Sequence, residues 1–227
     1  MGKVIAFIPV RGGSKSIPSK NIKLLCGKPL VYWNLAALQE AAEVQEIIVA
    51  TDSDEIDAVV RGFYFSKVSV FRRSAGNASD EASTESVMLE YLSKVTLNED
   101  DVFMLVQATS PLTKTVHFEE ALKQFSEQNY DSMLSCVRIR RFLWNADGTS
   151  KNYDFRERPR RQNFDGELME NGAFYITTVG QILRSENRLG GRIGIYEMPE
   201  YTAMELDEPH DWIIMEQLML AHQAYPV

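Results

Sequence analysis

Short runs that are apolar on both faces alternate along this chain with longer stretches whose apolar residues recur at helical spacing. Residues 4–10, 47–51, 67–71, 102–107 and 131–137 have the length and the Val/Ile content of strands. The most apolar of them lack the in–out alternation of a sheet with one wet face, which predicts burial on both sides. Between them, residues 29–43 put Pro29 at the opening turn of a helix. Asp52 and Glu55 read as a capping box ahead of Ile56, Val59 and Val60. Residues 83–95 carry Val87, Met88, Tyr91 and Leu92 on one side, and residues 115–126 form a further helix. The alternation predicts an α/β fold, a mostly parallel sheet flanked by helices, as a single domain over residues 1–227. A ligand is then expected beyond the carboxyl ends of the strands.

The rhythm breaks at residues 138–170, which are polar, aromatic and basic without either period. So long a structureless insertion is uncommon in a compact domain, and predicts an arm packing on another subunit or over the active site. Regular structure resumes at residues 172–178 and 192–198. A last helix is expected over residues 208–221, with Trp212, Met215 and Met219 as its apolar stripe.

Composition narrows the function. A net charge of −8 argues against a nucleic-acid partner, so any anion site must concentrate its cations locally. Two cysteines, Cys26 and Cys136, imply no disulfide framework and a reducing compartment. The apolar amino terminus is too short for a membrane span or a secretory signal, so a cytoplasmic protein without a membrane partner is expected. His117, His210 and His222 do not form a ligand cluster by spacing.

The most informative segment is Pro9-Val10-Arg11-Gly12-Gly13-Ser14-Lys15-Ser16-Ile17-Pro18-Ser19-Lys20-Asn21, directly after the first strand. Gly12 and Gly13 let the backbone approach an anion closely and form a nest of amide groups. Arg11, Lys15 and Lys20 add cations, as displacement at phosphorus requires. The segment fits neither GxxxxGK[ST] nor GxGxxG. A solvated turn with incidental lysines is the competing reading, and the position after the first strand counts against it.

This loop resembles the opening motif of the acylneuraminate cytidylyltransferases (CMP-sialic acid synthetases), whose pattern is close to ARGGSKG[IL]PxKN. CMP-Kdo synthetases share the fold with a looser loop. Ala50-Thr51-Asp52-Ser53-Asp54-Glu55-Ile56 resembles the family's STDxxEI, and Arg72-Arg73-Ser74 with Asp80 through Ser83-Thr84 resembles R-x6-D-x-x-[ST]-[ST]. Gln107-Ala108-Thr109-Ser110-Pro111-Leu112 resembles Q-[AP]-TSPL. Arg158-Pro159-Arg160-Arg161-Gln162 and Glu170-Asn171-Gly172-Ala173-Phe174-Tyr175 resemble PRRQ and NG[AS]-x-Y. The motifs keep one order from the first strand to the last helix.

The resemblance implies a Rossmann-like nucleotidyltransferase fold with a dimerisation arm inserted at residues 138–170. It implies transfer of CMP from CTP to a sialic-acid-type nonulosonate, with pyrophosphate leaving. Arg11, Gly12, Gly13, Ser14, Lys15, Lys20 and Asn21 would surround the triphosphate, with Arg11, Lys15, Lys20 and Asp207 catalytic. Arg73 and Thr84 sit where relatives read cytosine, helped by backbone near Val10. Gln107, Asn171 and Tyr175 would meet the sugar or ribose. Arg161 resembles an arm residue that reaches a neighbour's site, where a sugar carboxylate would accept bidentate hydrogen bonds. Apart from the family, Arg73 reads as a surface arginine, Thr84 as a helix N-cap and Gln107 as a buried amide. Residues 158–161 then read as a solvated basic face or an import signal.

Relatives carry DxD before the last helix, whereas this chain has Met204-Glu205-Leu206-Asp207-Glu208. Alternation still points Glu205 and Asp207 to one face. Their hard oxygens suit magnesium, the implied cofactor, with Asp207 as the better ligand and Glu205, whose extra methylene alters its reach, ligating through water or not at all. A solvated acidic turn capping the helix through Glu208 is the alternative. Ser16 replaces the family's usual glycine, and Leu143 lies where several sialate-specific members carry a basic residue. These departures bear on the sugar: N-acetylneuraminate is the first choice with Kdn and legionaminate close behind, the arm and PRRQ argue against Kdo, and GTP is open beside CTP. A nucleotide-sugar-binding protein without turnover is the reading from another class. The implied assembly is a homodimer with exchanged arms, or a tetramer of such dimers.

Overall fold

The computed structural model describes residues 2–79 and 82–224. Val4–Pro9 (β1) leads through the glycine-bearing loop to a short hairpin, Leu24–Leu25 (β2) and Lys28–Pro29 (β3), and then to the helix Leu30–Glu40 (α1). Glu46–Thr51 (β4), Asp54–Arg61 (α2), Val68–Arg72 (β5), Thr84–Lys94 (α3), Val102–Val106 (β6) and Thr115–Gln128 (α4) continue the alternation. Ser132–Ile139 (β7), Glu167–Thr178 (β8), Val179–Ser185 (α5), Ile193–Met198 (β9) and Pro209–Ala224 (α6) complete it.

Seven strands form one sheet in the order β5-β4-β1-β6-β8-β7-β9. β1 pairs in parallel with β4 and β6, β4 with β5, and β7 with β9. β8 alone reverses, running antiparallel to both β6 and β7. β1 and β6 are buried on both faces, which is why their sequences show no alternation. One face packs Ala6, Ile8 and Met104 against Leu35, Leu38, Phe118 and Leu122 of α1 and α4. The other packs Ile5, Phe7 and Phe103 against α3 and α5. At about 1.5–3 kcal/mol for each large side chain removed from water, these two layers fix where the strand ends lie. A third cluster joins Ile17, Leu25, Leu30, Leu112 and Leu206 to Trp212, Met215 and Met219 of α6. It ties the loops at the carboxyl ends of the strands to the last helix.

The predicted fold class stands, and Val87, Met88, Tyr91 and Leu92 are the buried residues of α3. Several details differ. α1 starts at Leu30, with Pro29 preceding it as the N-cap, and stops at Glu40. Ser53, not Asp52, caps α2, its Oγ accepting from Ile56 N at 3.3 Å. Asp52 is drawn away to Gly12, whose amide it accepts at 3.0 Å. The 138–170 break is shorter than expected. β7 runs on to Ile139 and β8 begins at Glu167, paired from Cys136↔Glu170 to Ile139↔Glu167. Residues 140–166 hold a Trp144–Ser150 bridge, two 3-10 turns and an aromatic cluster. Phe142 lies 4.3 Å from Tyr153 and 5.0 Å from Phe164 between ring centroids, and Arg158 caps it at 4.5 Å. Among the described residues no helix is long and apolar enough to cross a membrane.

Candidate active site

The loops after β1, β5 and β6, the head of α3 and the segment before α6 enclose a cleft of ≈ 380 Å³. Its first wall is the loop after β1. Ile17, 2% exposed, sinks into the third apolar cluster and anchors the loop from below. Val10 N donates to Ala50 O at 2.9 Å, and Gly12 N to Asp52 at 3.0 Å. A Cβ on Gly12 would stand 3.0 Å from Ser53 Cβ, so glycine permits the close approach to the head of α2. The buried Asn21 amide donates to Arg11 O at 3.0 Å, which closes the loop on itself. Arg11, Lys20 and Asn21 line the cleft, whereas Gly12, Gly13, Ser14 and Lys15 stand outside its lining. Ser16 has no positive φ; Ser19 takes the left-handed conformation instead, at φ 51°. Serine in place of the family's glycine at position 16 therefore brings no strain from a positive φ.

Opposite stands the acidic segment. Leu206 is fully buried and its N donates to Thr109 O at 2.9 Å, which leaves Glu205 and Asp207 on the cleft side. Lys20 Nζ bridges to this segment, 2.8 Å from Leu206 O and 3.3 Å from Asp207 Oδ1. Burial pushes the Glu205 carboxyl up to about 7, reinforced by the charges of Asp207 and Glu170 and opposed by Lys20. Gly172, at φ 61°, lies directly behind Glu205. The turn before α6 is capped by Asp211, which accepts from Asp207 N and Glu208 N at 3.0 and 2.7 Å, rather than through Glu208. No group of three or more His, Cys, Asp or Glu suited to a metal occurs among the described residues. Two carboxylates in one cleft nevertheless fit magnesium, which takes one or two carboxylates and completes its shell with water and phosphate.

The third wall is the base of α3 and the loop after β5. Arg73 is half-buried, its Nε donating to Ala50 O at 3.0 Å and Nη1 to Asn77 O at 3.4 Å. Burial lowers its pKa, with Asp52 pulling the other way. Ser83, not Thr84, caps α3 by accepting from Ser86 N at 3.0 Å, and Thr84 is the first helical residue. Both face the cleft, so the amino end of α3 presents its positive dipole end there. Asp80 of the resembling motif lies outside the described residues.

Gln107 lines the floor, its main chain held by Ala173 O at 3.0 Å and by Asn34 Nδ2 at 3.2 Å. Three expected sugar contacts do not line the cleft. Asn171 is fully buried, donating to Thr202 O and Oγ1 at 3.3 Å. Tyr175 donates its hydroxyl to Glu170, and burial followed by that bond raises its pKa. Arg188 lies 4.9 Å over its ring and pairs with Glu85 at 2.6 Å. Arg161 is exposed on the arm, 3.3 Å from Glu200. The structure thus gathers Arg11, Lys20, Asn21, Arg73, Thr84, Gln107, Glu205 and Asp207. It adds Ser83 and Thr109, which lie inside the resembling motifs without a role assigned to them there, and Ser79, which no spacing marks.

A family model described as cytidylyltransferase matches residues 5–214. The chain is 40% identical over 226 residues to N-acylneuraminate cytidylyltransferase of Oncorhynchus mykiss, covering 96% of this chain and 50% of that protein. It is 29% identical to the Streptococcus agalactiae (strain NEM316) protein of the same name, over 93% of this chain and 52% of that one. CMP-N,N'-diacetyllegionaminic acid synthase of Legionella pneumophila is 28% identical, over 97% of this chain and 98% of that protein. The chain thus spans about half the length of the N-acylneuraminate relatives it matches. In fold it is similar to a CMP:2-keto-3-deoxy-manno-octonic acid synthetase solved with CTP, at TM-score 0.71 and 22% identity over 97% of this chain and 99% of that one. A 4-diphosphocytidyl-2C-methyl-D-erythritol synthase of Anaerococcus prevotii follows at TM-score 0.68 and 13% identity, covering 96% of each chain.

Proposed function

The chain belongs to the cytidylyltransferase family, and we propose that it joins a sialic-acid-type nonulosonate to CTP, yielding the CMP-sugar and pyrophosphate. One observation carries this reading: a single cleft at the strand ends combines Arg11 and Lys20, the Glu205–Asp207 pair and Arg73. Cations, carboxylates and a base-side guanidinium are what attack on an α-phosphorus needs in one place.

In this reading the anomeric hydroxyl attacks the α-phosphorus in line, and the bond to pyrophosphate breaks. Arg11 and Lys20 take up the charge that grows on the departing phosphates, with Gly12, Gly13, Ser14 and Lys15 offering amides and charge from the rim. Asn21 keeps the loop in shape through Arg11 O. Arg73 and the amino end of α3 at Thr84 select the base. Gln107 orients the sugar from the end of β6, while Asn171 and Tyr175 support the wall behind it. Asp207 and Glu205 would hold magnesium, which when bound polarises the α-phosphate and lowers the pKa of the attacking hydroxyl. Most of the rate comes from positioning and electrostatics, with no covalent enzyme intermediate. Arg161 meets the sugar carboxylate in a partner's site, which makes the working unit a homodimer. Free Cys26 and Cys136 fit a reducing compartment, and we assign the reaction to the cytoplasm.

Among sugars, N-acetylneuraminate is the proposed substrate, since relatives 40% and 38% identical carry the name N-acylneuraminate cytidylyltransferase. The test is pyrophosphate release over a panel of CTP, GTP and ATP against N-acetylneuraminate, Kdn, legionaminate and Kdo. CTP with N-acetylneuraminate should lead. Equal rates with ATP would remove the base assignment, and CTP binding without release for any sugar would leave a binding protein.

A further inference from the structure

The base side of the cleft is held from behind by a carboxylate that no part of the reaction uses. Glu90 lies on α3 with its side chain only 9% exposed. One of its oxygens accepts from Ser74 N at 2.9 Å and from Lys94 Nζ at 2.6 Å, and the other from Asn77 Nδ2 at 2.7 Å. Ser74 is the residue after Arg73, and Asn77 O is the carbonyl that receives Arg73 Nη1. Glu90 therefore grips both the chain that carries the guanidinium and one of the two carbonyls that orient it, the other being Ala50 O. The intervening loop has few other anchors: Asn77 Nδ2 also donates to Ser86 O at 3.2 Å, Ser74, Ala75 and Gly76 are exposed, and a single 3-10 turn spans Gly76–Ala78. Burial alone would raise the Glu90 pKa, but the bonds from Lys94, Asn77 and Ser74 outweigh it and hold it at about 2, so the carboxylate stays charged. A buried charge is tolerated only where its partners are complete, and here the partners are the Arg73 loop and one lysine.

We infer that Glu90 is a positioning residue for nucleotide selection, acting through Ser74 and Asn77 to hold the Arg73 guanidinium at the base end of the cleft. The inference rests on the reading that Arg73 meets the base. Glu90 touches no substrate, so its loss should change recognition of CTP without touching the chemistry at phosphorus.

The experiment compares the parent protein with Arg73→Ala, Glu90→Gln and Asn77→Ala. It measures KM and kcat for CTP, calorimetric Kd for CTP and ATP, and Tm. Glu90→Gln keeps the shape but turns an acceptor into a donor against Ser74 N or Asn77 Nδ2. It should weaken CTP about tenfold in KM and Kd, as expected for one lost charge-assisted hydrogen bond, with kcat within about twofold. The preference for CTP over ATP should shrink in step. Asn77→Ala removes the Nδ2 bond that ties the loop to Glu90 while keeping the charge of the carboxylate and the main-chain carbonyl that receives Arg73, and decides the matter if Glu90→Gln does not fold. A lower Tm with unchanged CTP affinity and preference would make Glu90 merely structural and overturn the inference. If Arg73→Ala weakens CTP while the other variants do not, only the relay falls. If Arg73→Ala changes nothing, the base assignment falls and the relay with it. Calorimetry keeps the comparison valid even if no sugar supports turnover.

Discussion

At Gly172 the backbone takes φ 61°, and a Cβ there would stand 2.5 Å from Glu205 Oε2. Both facts oppose a side chain, the first through strain of about 1–2 kcal/mol and the second by pushing the carboxylate from its place. Gly172→Ala should lower Tm by about 2–8 °C, and should reduce pyrophosphate release at temperatures where the variant is fully folded. Unchanged activity in a folded variant would mean that Glu205 need not sit where it does. The two carboxylates are themselves unequal. Asp207 is 66% exposed and reaches Lys20, whereas Glu205 is wedged against Gly172. Asp207→Ala should therefore abolish turnover, while Glu205→Ala keeps measurable activity with a higher magnesium requirement. A magnesium titration of both variants checks this, and near-parental rates in both would remove the pair as the metal site.

At the scale of the element, α4 shows how a helix end can depend on pH. Lys114 N donates to His117 Nδ1 at 3.1 Å, so the imidazole must be neutral at that nitrogen. Burial first, and Lys114 second, push the His117 pKa down to about 4, against a smaller pull from Glu120, which is held by Tyr196. The unfolded chain has the ordinary value of about 6.5, so it binds the proton first as pH falls. Stability from this group is complete above pH ~6.5 and is lost progressively down to pH ~4, by at most ~3 kcal/mol. His117→Gln keeps an acceptor but cannot titrate. Urea unfolding of parent and variant at pH 7, 5.5 and 4.5 should show the parent losing more stability over that range. Parallel curves would mean that His117 is not responsible. Elements of this kind were legible where one stripe faces one layer, as in α3, whose predicted stripe of Val87, Met88, Tyr91 and Leu92 is its set of buried residues. α5 has seven residues, too few for a period to stand out, and the reversal of β8 depends on its neighbours rather than on its own residues. The loop after β1 could be read because its glycines and cations are adjacent. Asp52 and Glu90 could not, because a carboxylate that serves amides on a distant loop leaves no spacing to detect.

For the whole molecule the open matter is what residues 140–166 are for. Phe142, Tyr153 and Phe164 pack on one another, so part of the arm's apolar surface is satisfied within the chain. Trp144 and Phe155 are not, at 50% and 58% exposed, and Ile193 and Ile195 of the edge strand β9 are exposed as well. Where such exposed apolar side chains form one contiguous patch, they mark an interface. Arg161 does not line the cleft of its own chain, and its contact with Glu200 is between two exposed groups, worth ~0–1 kcal/mol. Exchanging Glu200 for a sugar carboxylate in a partner's cleft would cost it little. If the arm serves the partner in this way, the chain should sediment as a dimer, and Arg161→Ala should raise the sugar's KM more than that of CTP. The stronger test mixes Arg161→Ala subunits with Lys20→Ala subunits, each nearly inactive alone. In the mixed dimer one cleft has its own Lys20 and receives an intact Arg161 from across the interface, so part of the activity should return. No recovery after demonstrated subunit exchange would mean that the arm acts on its own chain, and that its exposed aromatics are there for some other surface.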